Sequence, residues 1–277
     1  MLTTLLYLPS AAPSYSTTGT QLEDLENELL LIMQQNAAYS FGSAPNFTLI
    51  TNPAFNKSSI DFYINRGYER AMADTARFQI YTTSAVFPST ASTWNYVIPP
   101  SGSPTIAMVF RVLYQPVNFP YKIIYDPGKR LIATRDFNFY SGEGLLSPYT
   151  FASYPTTMAI SDDRTQLWLY PGSLNAGDTI TLQYAPLPTP GTSVPFLVNN
   201  TDQPVLPSDT RQAIVEWASY TLWLRMREMQ QAGIAKQNYS QEIERIKYIY
   251  DQRSLGDQTG FMDQLDALGM PSALGFP

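Results

Sequence analysis

Carboxylates are the side chains in this sequence with the most scope for chemistry. Asp162 and Asp163 are adjacent, Asp126 and Asp136 lie in one stretch, and Glu143 stands between Gly142 and Gly144. Two carboxylates facing each other across a cleft can hydrolyse a glycoside, one as acid and the other as nucleophile or base. The local sequence argues against that use. Adjacent strand residues point to opposite faces, and Asp162-Asp163-Arg164 reads as a polar turn. Asp126 opens Asp126-Pro127-Gly128, a strong turn signal, and Glu143 reads as a flexible loop residue. The chain has no His and no Cys. That removes the commonest metal ligand and the one side chain that titrates near neutrality unperturbed. Ser–His–Asp triads, HExxH zinc sites, thiolate nucleophiles and disulfides are excluded with them. No P-loop, dinucleotide-binding glycine pattern or GxSxG elbow is present. The sequence therefore assigns no catalytic residue, no metal ligand and no cofactor. Trp94 and Trp168 would serve a sugar-binding platform only if they sit exposed on the β region.

The elements that carry these residues fall into two textures. Residues 21–35 read as a helix, with Thr20 and Glu23 as a capping box and Leu22, Leu25, Leu29 and Ile32/Met33 at helical spacing. Residues 59–78 read as a second helix, with Ser58 or Ser59 as cap and Ile60, Ile64, Gly67/Tyr68 and Ala71 as its apolar stripe. Gly67 inside it costs about 1 kcal/mol against Ala, which predicts that another helix approaches closely there. From 79 to 184 helical periodicity vanishes. Pro and Gly punctuate β-prone runs at 80–87, 94–98, 106–114, 121–125, 130–134, 157–160, 166–170 and 179–184, and connections this short favour antiparallel hairpins.

Residues 186–207 are Pro-rich and read as an extended linker. A third helix, 209–231, is apolar almost all the way round, which predicts burial on all sides through a core face and a subunit-contact face. Gly233 marks a break, and a fourth helix, 235–252, carries Tyr239, Ile243, Ile246 and Ile249/Tyr250. The expected fold is α+β: a discontinuous bundle of about four helices with an inserted antiparallel β-rich domain. The expected parts are 20–80, 81–185, the linker 186–207, 208–253 completing the bundle, and a tail at 254–277.

Composition points to protein contact rather than a free surface. Charged residues make up 14% of the 277 positions, against about 25% in a typical soluble domain. Aromatics reach 13%, and the net charge is −6. Residues 1–56 contain Glu23, Asp24, Glu26 and Glu28 and no base; residues 254–277 contain Asp257, Asp263 and Asp266 and no base. This is not the basic footprint of a sequence-reading DNA binder. The apolar start lacks a positive flank, so no signal peptide is expected, and no membrane span. The tail carries Phe261, Met262, Leu265, Leu268, Met270, Leu274 and Phe276, and reads as a docking peptide that orders on a partner.

Several runs carry a resemblance. These are Ile60-Asp-Phe-Tyr-Ile-Asn-Arg-Gly-Tyr-Glu-Arg-Ala-Met-Ala-Asp, Leu167-Trp-Leu-Tyr-Pro, Gly177-Asp-Thr-Ile-Thr-Leu-Gln-Tyr, and Leu206-Pro-Ser-Asp-Thr before a long apolar helix. In this order, across most of 20–253, the chain resembles the head–tail adaptor proteins of short-tailed phages. The resemblance implies a virion structural protein without enzymatic activity, assembled in the host cytoplasm and sited at the neck. It implies a twelvefold ring beneath the portal ring, extending the DNA channel and offering a platform to nozzle and fibre proteins. Double-stranded DNA would pass without sequence-specific binding. Ring contacts are expected at Ile214, Trp217, Tyr220, Trp223 and Leu224, and portal docking at Phe261, Met262, Leu265, Leu268, Met270 and Phe276. The alternatives are a receptor- or sugar-binding tail component, another virion neck protein, or a carboxylate glycosidase.

Overall fold

Four α-helices among the described residues build one end of the molecule, and short strands build the other. The computed structural model describes residues 21–35, 43–50, 52–117, 123–125, 151–152, 155, 157–161, 163–173 and 175–267; for 123–125, 151–152, 157, 171, 173 and 251–267 it describes the backbone alone.

Helix α1 spans Leu22–Ile32. Thr20 lies outside the described residues. The cap is Gln21, whose backbone N–H donates to the Asp24 carboxylate at 3.0 Å. At the other end Gln34 takes a left-handed φ of 60°. The Gln35 N–H then returns to the Leu30 carbonyl and the Gln34 N–H to the Leu31 carbonyl, a Schellman closure. Helix α2, Lys57–Thr75, is capped by the Asn56 side chain, which accepts from the Ser59 N–H at 2.8 Å. Helix α3 is Gln212–Met226 and helix α4 is Met229–Ala267.

The break between α3 and α4 lies at Arg227, not at Gly233. Arg227 is left-handed, with φ 63°. Its N–H and that of Glu228 bond back to the Leu224 and Trp223 carbonyls. Gly233 continues the helix, because one glycine weakens a helix by about 1 kcal/mol without ending it. α4 also runs on past residue 252 into the stretch read as a tail.

The helical core gathers Leu22, Leu25, Leu29, Ile60, Ile64, Tyr68, Ile214, Val215, Leu222 and Ile246. Residues 187–207 have no regular element, but they are packed rather than spanning solvent. Val194, Leu197 and Leu206 are buried in that same core. Their backbone polar groups need partners once buried, and side chains of the helices supply them. Asn65 bonds both the N–H and the C=O of Leu197 at 2.8 Å. The Tyr68 hydroxyl accepts from the Val205 N–H at 3.1 Å. Arg211 donates to the Leu206 and Pro204 carbonyls at 3.1 and 3.2 Å.

The β region holds β1 (Thr83–Pro88), β2 (Thr93–Val97), β3 (Ile106–Gln115), β4 (Ile123–Tyr125), β5 (Phe151–Ala152), β6 (Thr157–Ile160), β7 (Gln166–Ser173) and β8 (Thr179–Pro186). One sheet has the order β1-β8-β3-β4; the other joins β2, β7 and β5, with β6 also pairing β7. All pairs are antiparallel except the short β5–β7 pair. The fold is therefore α+β, with a largely antiparallel insertion. The predicted run at 130–134 lies outside the described residues. Alternate residues Ile180, Leu182 and Tyr184 of β8 face inward with Val112 and Tyr114 of β3. They meet Tyr96, Leu167, Leu169 and Met158 of the second sheet, so the two sheets share a core between them.

The first and last strands of the insertion pair directly, Thr83 opposite Tyr184. The chain thus leaves and re-enters the bundle at one place, as a domain inserted into another does. Small side chains line the junction: Ala76 after α2, Ala107 of β3 and Ala185 of β8, under Phe110 and Leu187.

Candidate functional site: an arginine and aromatic groove

Of the carboxylates singled out for chemistry, Asp163 alone lies among the described residues. Asp126, Asp136, Glu143 and Asp162 lie outside the described residues. Asp163 is exposed in the turn between β6 and β7, where the Ser161 hydroxyl and the Thr165 N–H and hydroxyl hold its carboxyl below the usual range. Among the described residues no three acidic side chains gather as a metal site would require.

One described carboxylate sits in unusual surroundings. Glu26 of α1 is fully buried, and it pairs with Lys57 of α2. Lys57 also reaches Asp61 at 3.4 Å. Burial, aided by Asp61, pushes the Glu26 carboxyl up to about 8 against the opposing pull of Lys57. This trio ties α1 to α2.

The predicted contact residues of α3 separate into two groups. Ile214 is fully buried against α2 and belongs to the core, which removes it from any subunit contact. The helix is apolar almost all the way round, yet it is not covered all round. Ala213, Ile214, Val215, Ala218 and Leu222 face the core, while Trp217, Tyr220 and Trp223 are half-buried and Leu224 is 38% exposed. Trp217 rests among Tyr220 at 5.1 Å, Tyr239 at 4.9 Å and the Arg70 guanidinium at 5.0 Å. Of the predicted docking residues, Phe261, Met262 and Leu265 lie on the helical backbone of α4, and Leu268, Met270 and Phe276 lie outside the described residues.

Beside Trp217 the flank of α2 carries a groove that sequence reasoning missed. Its first part, about 440 Å³, is lined by Phe62, Tyr63, Arg66, Glu69, Arg70, Ala73, Leu187, Trp217 and Thr221. A second part, about 580 Å³, shares Ala73 and Leu187 and adds Arg77, Arg164, Met108 and Ile243. It lies at the junction with the β region. Arginines stand over rings along its length: Arg66 over Phe62 at 5.6 Å, Arg70 over Trp217, and Arg225 over Tyr63 at 5.9 Å. Phe62 is 52% exposed. Arg66 pairs with Glu69 at 3.0 Å, and Arg70 with Asp74 at 2.9 Å. Asp74 also accepts from the Tyr239 hydroxyl at 2.7 Å.

A signal for this groove exists in the sequence. Phe62, Arg66, Arg70, Ala73 and Arg77 recur at steps of three and four, the spacing of one helix face. The apolar stripe Ile60, Ile64, Gly67/Tyr68 and Ala71 on the neighbouring face is the stronger signal, so the arginine face is not singled out.

On the β region, Trp94 and Trp168 do come together, with ring centroids 6.4 Å apart. The register shift of β2 between Thr93 and Asn95 lies at Trp94. Both rings are half-buried, and the Trp168 indole N–H donates to the Gln166 side-chain oxygen at 3.0 Å.

No helix among the described residues is long and apolar enough to cross a membrane. No protein-family model matches the chain, and no curated protein matches it.

Proposed function

We propose that this chain is a non-enzymatic structural subunit, a head–tail adaptor of a tailed phage. In this reading copies form a ring beneath the portal that extends the DNA channel and offers a platform for nozzle and fibre proteins. The observation that carries it is the outer face of α3. Trp217, Tyr220, Trp223 and Leu224 leave aromatic and aliphatic surface open on a helix whose other faces are core, and the Phe62–Arg70 flank of α2 continues that surface. Aromatic residues and Arg at the expense of other charges are the composition of an interface centre. Repeated around a ring, a modest contact of this kind becomes a stable closed assembly. The chain enters and leaves the inserted β region through the paired strands β1 and β8, so that region can face later components while the helices pack together.

Native mass spectrometry of the purified chain, alone and mixed with the portal ring of the same phage, tests the proposal. A ring's worth of copies added to the portal is the expected result. No association with the portal at any salt concentration would overturn it.

A second reading is kept by the Trp94–Trp168 pair. Aromatic rings beside the amides of Asn95 and Gln166, which share a 3.3 Å hydrogen bond, are what a sugar-binding platform of a tail component uses. Glycan-array binding by the full chain that is lost in Trp168→Ala would favour it.

A further inference from the structure

The groove along α2 is basic in an acidic protein. Among the described residues its lining holds Arg66, Arg70, Arg77 and Arg164 against Glu69 and Asp74, an excess of two positive charges, and Arg225 stands over Tyr63 at its rim. Its apolar lining includes Phe62, Ala73, Leu187 and Trp217. An occupant that complements it must be apolar and acidic at once.

We infer that the occupant is the C-terminal segment, residues 254–277, of a second copy of this chain. The inference rests on the ring-forming reading above and names what one of its surfaces holds. Residues 254–277 contain Asp257, Asp263 and Asp266 and no Lys or Arg, the charge the groove lacks. Phe261, Met262, Leu265 and Leu268 recur among them at helical spacing, which is how an amphipathic helix enters an apolar groove.

Reach argues for a second copy rather than the same one. α4 starts at the C-terminal end of α3, beside the Arg227 turn, and runs back along α3 until the Tyr250 hydroxyl meets Asp209 just before α3 begins. Its backbone stays helical to Ala267. The 17 residues past Tyr250 extend about 25 Å at 1.5 Å per residue, carried onward past the start of α3. A continuous helix cannot turn back to lie on the α2 flank of its own bundle. A neighbour's groove needs no such reversal. The lengths also agree, since Phe62 to Arg77 covers about 22 Å at that rise.

Photocrosslinking tests the inference. Full-length chain carrying p-benzoylphenylalanine in place of Phe261 is mixed in equal parts with nitrogen-15-labelled chain, irradiated and digested. Cross-links between the light probe and heavy peptides from 62–77 or 217–225 are expected. A fluorescein-labelled synthetic peptide of residues 254–277, titrated onto full-length chain, supplies the second readout. Arg66→Glu and Arg225→Glu, both at the surface, should each weaken its binding about tenfold. Cross-links within one chain only, cross-links to portal only, or unchanged peptide binding in both arginine variants would each overturn the inference. So would a chain truncated after Arg253, helical by circular dichroism, that still adds a ring's worth of copies to the portal; that result would leave the adaptor reading standing.

Discussion

Gly67 of α2 lies directly against the Ile214 carbonyl of α3. A methyl group at residue 67 would overlap that oxygen and press on the carbonyl carbon at 3.2 Å. Backbone rather than a flexible side chain is what it would strike, so relief requires the two helices to part. Gly67→Ala should therefore destabilise the protein by about 3 kcal/mol or more, in the range of severe overpacking. Gly233 is its control. A Cβ there meets nothing within 4 Å and its φ is ordinary, so Gly233→Ala should stabilise by about 0.5–1 kcal/mol. Urea unfolding of both variants measures the contrast, and a destabilising Gly233→Ala would refute the account.

Stability should fall as pH rises from the acid range to about 8. The Glu26 carboxyl ionises near 4.5 in an unfolded chain and near 8 in the fold, where burial holds it protonated beside Lys57 and Asp61. A raised carboxyl stabilises fully below its unfolded value, and that contribution is lost as pH climbs through the folded one. Burial pushes Glu28 up as well, against the pull of its hydrogen bond with Gln212, with the same sign. Glu26→Gln keeps the shape and removes the titration. The unfolding free energy of the native chain in urea should drop between pH 5 and pH 8 by on the order of 3 kcal/mol, and the variant should show a shallower drop. An equal slope in both would assign the dependence elsewhere.

The β region should open without the bundle when its Asp178 latch is cut. Asp178 is fully buried; its carboxylate accepts from the Tyr114 hydroxyl and, at 2.8 Å, from the Val117 N–H. Its carbonyl accepts from the Ser89 N–H at 2.7 Å. The residue joins the ends of β1, β3 and β8. Asp178→Ala strands two donors and should cost about 2–3 kcal/mol. Hydrogen exchange should quicken in β3 and β8 while α2 and α3 keep their protection. Uniform loss across both regions would show one cooperative unit instead.

Leu224 sits on the open face of α3, away from the core. On the adaptor reading proposed above, Leu224→Asp should leave the circular dichroism spectrum and unfolding midpoint unchanged and reduce the number of copies retained on the portal ring in native mass spectra. Full retention would remove Leu224 from the subunit contact.

Much of the local structure was readable in advance. The strands read at 157–160 and 106–114 follow from β-prone runs punctuated by Pro and Gly, and the first two helices from a period of about 3.6, because one apolar face must meet a core. The close approach at Gly67 was readable too, since a glycine inside a helix needs a packing reason. Element ends were read less well. Asn56 rather than Ser58 or Ser59 caps α2, and Arg227 rather than Gly233 ends α3, because a Schellman closure is a backbone geometry that Arg can adopt at modest cost and that composition does not reveal. The 186–207 stretch reads as an extended linker by its prolines. It is packed because Asn65, Tyr68 and Arg211, distant in sequence, satisfy its backbone.

For the candidate site the division is sharper. The sequence by itself determined the absence of His and Cys chemistry, the acidic ends, and the apolar circumference of α3, because these depend only on which residues are present and at what spacing. Only the tertiary structure decided which part of that circumference is left open. Ile214 and Trp217 are three residues apart on one helix, yet α2 covers the first completely and leaves the second at the edge of a groove. The groove itself exists because Leu187 and Trp217 come to lie beside the Phe62–Arg77 face, and no spacing along a chain records a meeting between segments that far apart.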